Sequence, residues 1–220
     1  MKKIVFGTIV AALGVSALVM ANQGQYQTQA QEKPEGQESP VRIGGPAPDF
    51  TLVDSNGKSH SLSDFKGNFV ILEWTNHECP FVVKHYQGGH MQETQKWATG
   101  KGAIWLSIIS SAPGKQGHLD GAGANRIREQ QKHASTATLL DPTGKVGRLY
   151  GARTTPHMFI ICPQGMIRYI GAIDSNRSSN PADIAGARNH VREALTELWA
   201  GKPVSVPSTQ PYGCSVKYQD

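Results

Sequence analysis

The sequence predicts an α/β fold in which one central mixed β-sheet is flanked by helices. Strand-like and helix-like stretches alternate from about residue 43 onward, and the series ends with a strand pair and a long helix. Two runs, at residues 69–74 and 103–109, are almost wholly apolar, which is typical of buried central strands. The composition, 38% hydrophobic and 18% charged, fits one globular domain with terminal extensions.

The other strands are indicated by turn residues and by short apolar stretches. Residues 50–53 and 59–62 form a predicted N-terminal β-hairpin around the polar turn at residues 54–57. Three further strands are predicted at residues 138–140, 157–162 and 167–170, the last two being joined by a Pro-Gln-Gly turn.

The helices are indicated by a change of hydrophobic period. A helix is predicted over residues 80–97, and Gly88-Gly89 is expected to kink it. A polar helix at residues 123–134 and a helical turn at residues 146–150 follow. The last long helix is predicted over residues 181–199, with a proline at its start and Gly-Lys-Pro after its end.

The N-terminus has the features of a secretory signal peptide. Lys2 and Lys3 precede an apolar run over residues 4–20, and small residues lead to a cleavage site after Ala21. We therefore expect a protein exported to the periplasm or another extracytoplasmic compartment, where disulfides are permitted. An uncleaved anchor is the alternative; after cleavage no stable membrane insertion is expected. The predicted organisation is a signal peptide (1–21), a flexible polar linker (22–42), one domain (43–203) and a mobile C-terminal tail (204–220).

The charge pattern argues against a nucleic-acid partner. The formal net charge is +5, but Lys and Arg are spread along the chain and form no basic block. No RNA- or DNA-binding signature accompanies them. We interpret the charge as a solvated surface.

Cys79 is the strongest candidate for a reactive group. It follows the predicted strand at residues 69–74 and directly precedes Pro80, which suits the first position of a helix. Unpaired backbone N–H groups and the helix dipole at such a junction stabilise a thiolate, which is the reactive form of cysteine. The alternative is a small buried residue with a structural role, as many lone cysteines are.

Several motifs together resemble the redoxin branch of the thioredoxin superfamily, which is related to the peroxiredoxins. They are Gly-Pro-Ala-Pro-Asp-Phe-Thr-Leu at residues 45–52, Leu-Ser-Asp-Phe-Lys-Gly at residues 62–67, Trp74, Cys79-Pro80 and Tyr-Gly-Ala-Arg-Thr-Thr-Pro at residues 150–156. The resemblance spans residues 43 to about 200 and implies a thioredoxin-like fold with an N-terminal hairpin extension.

The resemblance also implies a set of site residues. Thr155-Pro156 is then a cis-proline loop facing Cys79. A cis bond here would be a specific feature, because most X-Pro bonds are trans. Thr155 and Pro156 are expected to shape a groove for substrate. Trp74, Pro80 and Glu78 are further candidates for substrate contact or for tuning the pKa of Cys79.

Departures from the family patterns limit the activity that can be inferred. Thioredoxins use Cys-x-x-Cys, but here the fourth position is Val82, so a dithiol cycle within one helical turn is absent. Peroxiredoxins carry Pro-x-x-x-Thr-x-x-Cys, whereas the corresponding positions here are Leu72 and Asn76. Pro156 stands where their Arg is found, so a standard peroxiredoxin site is not expected.

A second thiol is available in the tail. Cys214, between Gly213 and Ser215, could attack an oxidised or mixed-disulfide form of Cys79 and so act as a resolving thiol. An incidental tail cysteine is the alternative. Cys162, at the end of an apolar strand, is interpreted as structural, although three cysteines allow three possible pairs.

Histidines near Cys79 raise a metal alternative. His77, His85 and His90 lie close to it in sequence, and thiolate with imidazole suits copper or zinc. His85 and His90 are five residues apart, so on one continuous helix they point to different faces. We therefore expect no metal site and no cofactor.

Taken together, these observations predict a thiol-dependent oxidoreductase that acts by thiol–disulfide exchange or by thiol–peroxide reduction. Its partners would be a protein or small-molecule thiol, disulfide or peroxide, and a reductant that the sequence does not identify. A non-catalytic binding module with the same fold, and a copper-handling protein, remain the alternatives.

Overall fold

The computed structural model describes residues 41–219. The predicted signal peptide and nearly all of the predicted linker lie outside these residues. Within residues 41–219, no helix is both long enough and apolar enough to cross a membrane.

Nine β-strands are present in the described part of the chain. They are β1 (Thr51–Asp54), β2 (Ser59–Ser61), β3 (Val70–Trp74), β4 (Ile104–Ile109), β5 (Ala137–Leu140), β6 (Thr154–Thr155), β7 (His157–Ile161), β8 (Ile167–Gly171) and β9 (Cys214–Ser215). Seven of these strands form one mixed sheet in the order β2-β1-β5-β4-β3-β7-β8, and β6 pairs with β9 in a separate two-stranded sheet.

Five α-helices accompany the sheet in residues 41–219, and the α/β class predicted from the sequence is confirmed. Two short 3-10 helices, Leu62–Phe65 and Pro181–Ile184, complete the set of helical elements. The α-helices are α1 (Pro80–Gln87), α2 (His90–Thr99), α3 (Gly121–Gln130), α4 (Lys145–Leu149) and α5 (His190–Trp199).

Strand β3 lies in the interior of the sheet, between β4 and β7, and is buried on both faces. It runs parallel to β4 and antiparallel to β7, and all five of its residues are buried. Because side chains alternate along a strand, Leu72 and Trp74 enter the core cluster on one face, while Ile71 enters the cluster on the other. Cys79 belongs to this second cluster.

Several helices differ from their predicted bounds, among them α3, which spans Gly121–Gln130 rather than residues 123–134. The helix predicted over residues 80–97 is divided into α1 and α2, because Gly89 has φ +75°, a backbone conformation that glycine adopts without strain. The last helix begins at His190 rather than at residue 181. Asn189 is its N-cap, and the Asn189 side chain accepts a hydrogen bond from the backbone N–H of Arg192.

The C-terminal residues differ most from expectation. Residues 207–219, here called the C-terminal strap, are not a loose tail but lie along the domain. The strap pairs with the edge of β8 through backbone hydrogen bonds between Ile170 and both Pro207 and Thr209. It then pairs with β6, and beyond it Ala112 donates to the Lys217 carbonyl. The prediction of a mobile tail is therefore corrected.

Candidate active site

Cys79 lies where β3 leads into α1. It is the N-cap residue of α1, with φ −76° and ψ 121°, and Pro80 occupies the first helical turn as the sequence predicts. The Cys79 side chain is fully buried in the reduced protein. A reaction partner therefore has no direct path to this sulfur while the neighbouring elements stay in place.

The structure brings two of the predicted site residues, Thr155 and Cys214, into contact with Cys79. The Cys79 thiol donates a hydrogen bond to the Thr155 carbonyl oxygen at 3.1 Å. The backbone N–H of Cys214 donates to Cys79 Sγ at 3.4 Å. The Thr155-Pro156 peptide bond is cis, as the family resemblance implies.

Cys214 reaches Cys79 because the C-terminal strap adds a strand to the cis-proline loop. Strand β9 runs antiparallel to β6, with Cys214 opposite Thr155 and Ser215 opposite Thr154. The register continues beyond β9, since the N–H of Val216 donates to the Arg153 carbonyl. The two cysteines, 135 positions apart in the sequence, are thus joined through Thr155.

The electrostatics of the two thiols are opposite. Burial opposes ionisation of Cys79, but several hydrogen bonds to the sulfur, the largest contribution coming from the Cys214 side chain, more than offset it, so that the pKa of Cys79 is lowered. Burial, together with the nearby Cys79 sulfur, raises the pKa of Cys214 to about 11. At neutral pH Cys79 is therefore the better candidate for a thiolate and Cys214 for a thiol.

The other predicted contact residues lie in different environments. Pro80 and Glu78 are exposed next to Cys79, and the Glu78 carboxylate accepts a hydrogen bond from the N–H of Gly117 at 2.8 Å. Trp74 is fully buried, and its indole N–H donates to Ser110 Oγ at 3.0 Å. The prediction of a substrate contact for Trp74 is therefore corrected, because this side chain belongs to the core.

Cys162 lies at the other end of the sheet. The preceding residue, Ile161, pairs with Val70 at the start of β3, whereas Cys79 follows the end of that strand. Cys162 is buried between two cavities of about 280 and 630 Å³. Burial opposes its ionisation, but a hydrogen bond with Arg168 lowers the pKa of Cys162. Its position separates it from the Cys79–Cys214 pair.

The histidines adjoin each other in a way the sequence does not predict. Because the chain breaks at Gly88-Gly89, His85 and His90 do not point to different faces, and their Nδ1 atoms share a hydrogen bond of 2.9 Å. The expectation from helical spacing was wrong on this point. Within residues 41–219, no group of three or more His, Cys, Asp or Glu side chains is arranged to hold a metal ion.

Two features of the site region were missed from the sequence. Tyr212 and Asp174, both buried, link the C-terminal strap to α1, and no local pattern indicates their pairing. Glu73 lies in β3, where its burial raises the pKa of the carboxyl although four side chains donate to it. A charged residue inside the apolar run at residues 69–74 is the signal that could have found it. The four donors are Tyr86, Gln95, Trp105 and Ser107.

Two solved structures share this architecture over most of their length. One is a hypothetical protein from Sinorhizobium meliloti, 22% identical, with a TM-score of 0.68 over 81% of this chain and 96% of that chain. The other is an uncharacterized conserved protein from Geobacillus kaustophilus, 24% identical, with a TM-score of 0.69 over 81% of this chain and 93% of that chain. At these identities the likeness concerns the fold alone.

The sequence match to a family covers more than half of the chain. Residues 43–170 match the AhpC/TSA family, and this span includes Cys79 and the cis-proline loop. The match confirms the resemblance to the redoxin branch that the motifs indicate. The chain therefore belongs to the AhpC/TSA family.

Proposed function

We propose that this protein is an exported thiol oxidoreductase that cycles between a dithiol form and a Cys79–Cys214 disulfide. The observation that carries the proposal is the placement of Cys214 on Cys79, with the Cys214 N–H directed at Cys79 Sγ. Membership of the AhpC/TSA family and the lowered pKa of Cys79 support it. Export rests on the N-terminal sequence, and the mass of the mature protein tests it by showing whether cleavage follows Ala21.

In the first step the Cys79 thiolate attacks an oxidant. With a disulfide RSSR, a Cys79–S–S–R bond forms and RS⁻ leaves. With a hydroperoxide ROOH, the O–O bond breaks, Cys79 becomes a sulfenic acid and the alkoxide takes up a proton. Ionising Cys79 removes the hydrogen bond that its thiol donates to Thr155, while the N–H of Cys214 remains as a donor to the sulfur.

In the second step Cys214 resolves the intermediate. Part of the raised pKa of Cys214 comes from the Cys79 sulfur. Once Cys79 is bonded to RS or OH it carries no charge, so this contribution disappears and Cys214 ionises more readily. The Cys214 thiolate then attacks Cys79 Sγ, the intramolecular disulfide forms, and RSH or water leaves with the proton from Cys214.

The residues around Cys79 are the ones that we propose to contact the substrate. Pro80 and Glu78 are exposed at the start of α1, and the buried cis-proline loop with Thr155 and Pro156 contacts the sulfur through the Thr155 carbonyl. We infer that these residues shape the groove once the C-terminal strap moves aside.

Non-reducing peptide mapping tests the proposal. The mature protein is treated with a sub-stoichiometric amount of hydrogen peroxide or of glutathione disulfide, and we expect a peptide pair joined by Cys79 and Cys214. Cys162→Ser is the matched control and should give the same pair, because Cys162 lies at the far end of the sheet. Cys79→Ser and Cys214→Ser should abolish it. If all three thiols stay free with both oxidants, the proposal fails and a binding role becomes the better explanation.

A further inference from the structure

A series of hydrogen bonds with a defined direction joins α5, α2 and α1 to the C-terminal strap. Its first member, Asn189, accepts from the N–H of Arg192 through Oδ1 at 2.9 Å. The other end of the Asn189 amide, Nδ2, therefore faces His90 and donates to His90 Nε2 at 3.0 Å. Because His90 Nε2 accepts this hydrogen bond, it carries no proton, and this fixes the tautomer of His90.

The hydrogen bonds of the two histidines run in the same direction and lead to Tyr212. Burial lowers the pKa values of His85, to about 2, and of His90, so both rings are neutral and each carries one N–H. His90 accepts at Nε2, so its proton is on Nδ1 and is donated to His85 Nδ1 at 2.9 Å. His85 then carries its proton on Nε2 and donates to the Tyr212 hydroxyl at 3.2 Å. Tyr212 donates in turn to the Asp174 carboxylate.

Tyr212 is the residue in this series of hydrogen bonds that belongs to the strap. Its ring lies 5.9 Å from the ring of Phe81, and Lys84 Nζ lies 5.1 Å from the Tyr212 ring centre. Phe81, Lys84 and His85 are all on α1, the helix that begins directly after Cys79. The side chain of Tyr212 therefore fastens the strap to the same helix that holds Cys79 at its start.

The series of hydrogen bonds ends at the charged carboxylate of Asp174. The Asp174 carboxylate is buried, forms an ion pair with the buried Lys84 at 3.8 Å, and accepts from the N–H of Asn176 at 3.1 Å. A hydrogen bond to a charged acceptor contributes more than one between neutral groups. Tyr212 is thus held more firmly than by contact of its ring alone.

We propose that Tyr212 is a positioning residue whose hydrogen bonds place Cys214 against Cys79. This inference rests on the proposed function. Cys214 is two residues beyond Tyr212, so fixing Tyr212 in its pocket limits the positions that the Cys214 thiol can reach. The placement of Tyr212 therefore sets the effective concentration of the Cys214 thiol at Cys79. This effective concentration governs how readily the disulfide forms and requires no contact between Tyr212 and the substrate.

The first test is the equilibrium of the protein with glutathione. In this reaction the dithiol is oxidised to the Cys79–Cys214 disulfide, and one glutathione disulfide is reduced to two glutathione molecules. Tyr212→Phe keeps the ring and removes the hydroxyl, and we expect about a tenfold lower effective concentration, the size expected for losing a hydrogen bond to a charged group. Tyr150→Phe is the matched control, because the buried Tyr150 hydroxyl donates to the Pro48 carbonyl and takes no part in this series of hydrogen bonds. It should stay within about twofold of wild type, against the tenfold change expected above.

The second test needs no redox cycle. In a Cys214→Ser background, alkylation of Cys79 by iodoacetamide reports how often the strap uncovers this buried sulfur. Tyr212→Phe should accelerate it several-fold, while Tyr150→Phe should not. Faster alkylation only with Tyr212→Phe supports the inference. Equal rates for both variants, or equal glutathione equilibria, overturn it. If the wild-type protein forms no Cys79–Cys214 disulfide, the proposed function fails, and the alkylation rates still decide the role of Tyr212.

Discussion

Gly213 lies against Thr155 so closely that any side chain at this position would overlap it. A Cβ atom built on Gly213 would be 1.9 Å from the Thr155 carbonyl oxygen and 2.8 Å from its carbonyl carbon. Gly213 also has φ +129°, a conformation that other residues rarely adopt. The pairing of the C-terminal strap with the cis-proline loop therefore depends on glycine immediately before Cys214.

Gly213→Ala should displace the strap from β6. The added methyl group can be accommodated only if Gly213 and Cys214 move away from Thr155, so we expect slower formation of the Cys79–Cys214 disulfide and faster alkylation of Cys79. Gly201→Ala is the control, since Gly201 also has positive φ, at +71°, but has open space around its Cβ position. Both reactions are followed by quenched alkylation and mass spectrometry. Unchanged rates in Gly213→Ala would show that the strap pairing is not needed.

The pH dependence of Cys79 should reflect its hydrogen bonds. Because the pKa of Cys79 is lowered in the folded protein, thiolate absorbance of the Cys162→Ser variant, which lacks the other thiol with a lowered pKa, should rise with pH at a midpoint below that of an ordinary cysteine. Ionisation of Cys79 then adds stability above the unfolded pKa, and this contribution is lost as the pH falls through the folded pKa. Cys214→Ala removes a donor and should move the midpoint to higher pH. A midpoint that stays in place in Cys214→Ala would contradict the assigned cause.

Cys214 should titrate separately and later. Its pKa of about 11 in the reduced protein means that it stays a thiol at neutral pH. In Cys79→Ala, the contribution of the Cys79 sulfur is absent, so the pKa of Cys214 should fall. The measurement is the pH profile of Cys214 alkylation, with Cys162→Ser in both proteins to remove the third thiol. A Cys214 profile that is the same with and without Cys79 would show that the two sulfurs do not interact.

Reduction of the disulfide should begin at Cys214. Cys79 is fully buried, whereas Cys214 is partly exposed, and an attacking thiol can therefore reach Cys214 more easily. The lower pKa of Cys79 also makes it the better leaving group. Oxidised protein mixed with glutathione, acid-quenched and mapped should carry glutathione on Cys214. Glutathione found on Cys79 instead would contradict this order of reaction.

The central part of the fold could be predicted because its signals are local. The apolar run that forms β3 lies between polar residues, and the hairpin of β1 and β2 surrounds a polar turn. The strand-to-helix position of Cys79 follows from the apolar run before it and from Pro80 after it. These features depend on neighbours within a few residues, so a single sequence contains them, whereas the cis bond at Thr155-Pro156 was implied only by the family resemblance.

The strap could not be predicted in the same way. Strand β9 has only two residues, too few to show any period, and its partner β6 lies about sixty residues earlier in the sequence. The pocket of Tyr212 is formed by residues from α1 and from the segment after β8. The contact between His85 and His90 depends on the break at Gly88-Gly89, which changes the helical spacing on which the prediction relied.

The buried pair of Lys84 and Asp174 should dominate the stability of the strap region. Asp174→Ala leaves the Lys84 ammonium without its ion-pair partner and the Tyr212 hydroxyl without its acceptor, both in the protein interior. We expect a loss of about 3–5 kcal/mol in the free energy of unfolding, the size found when one member of a buried pair is removed. Asp120→Ala is the control, because the exposed Asp120 only caps α3 by accepting from the N–H of Gly123. Its loss should be about 1 kcal/mol. Urea unfolding measures both, and similar losses in the two variants would show that the Lys84–Asp174 pair contributes no more than a helix cap.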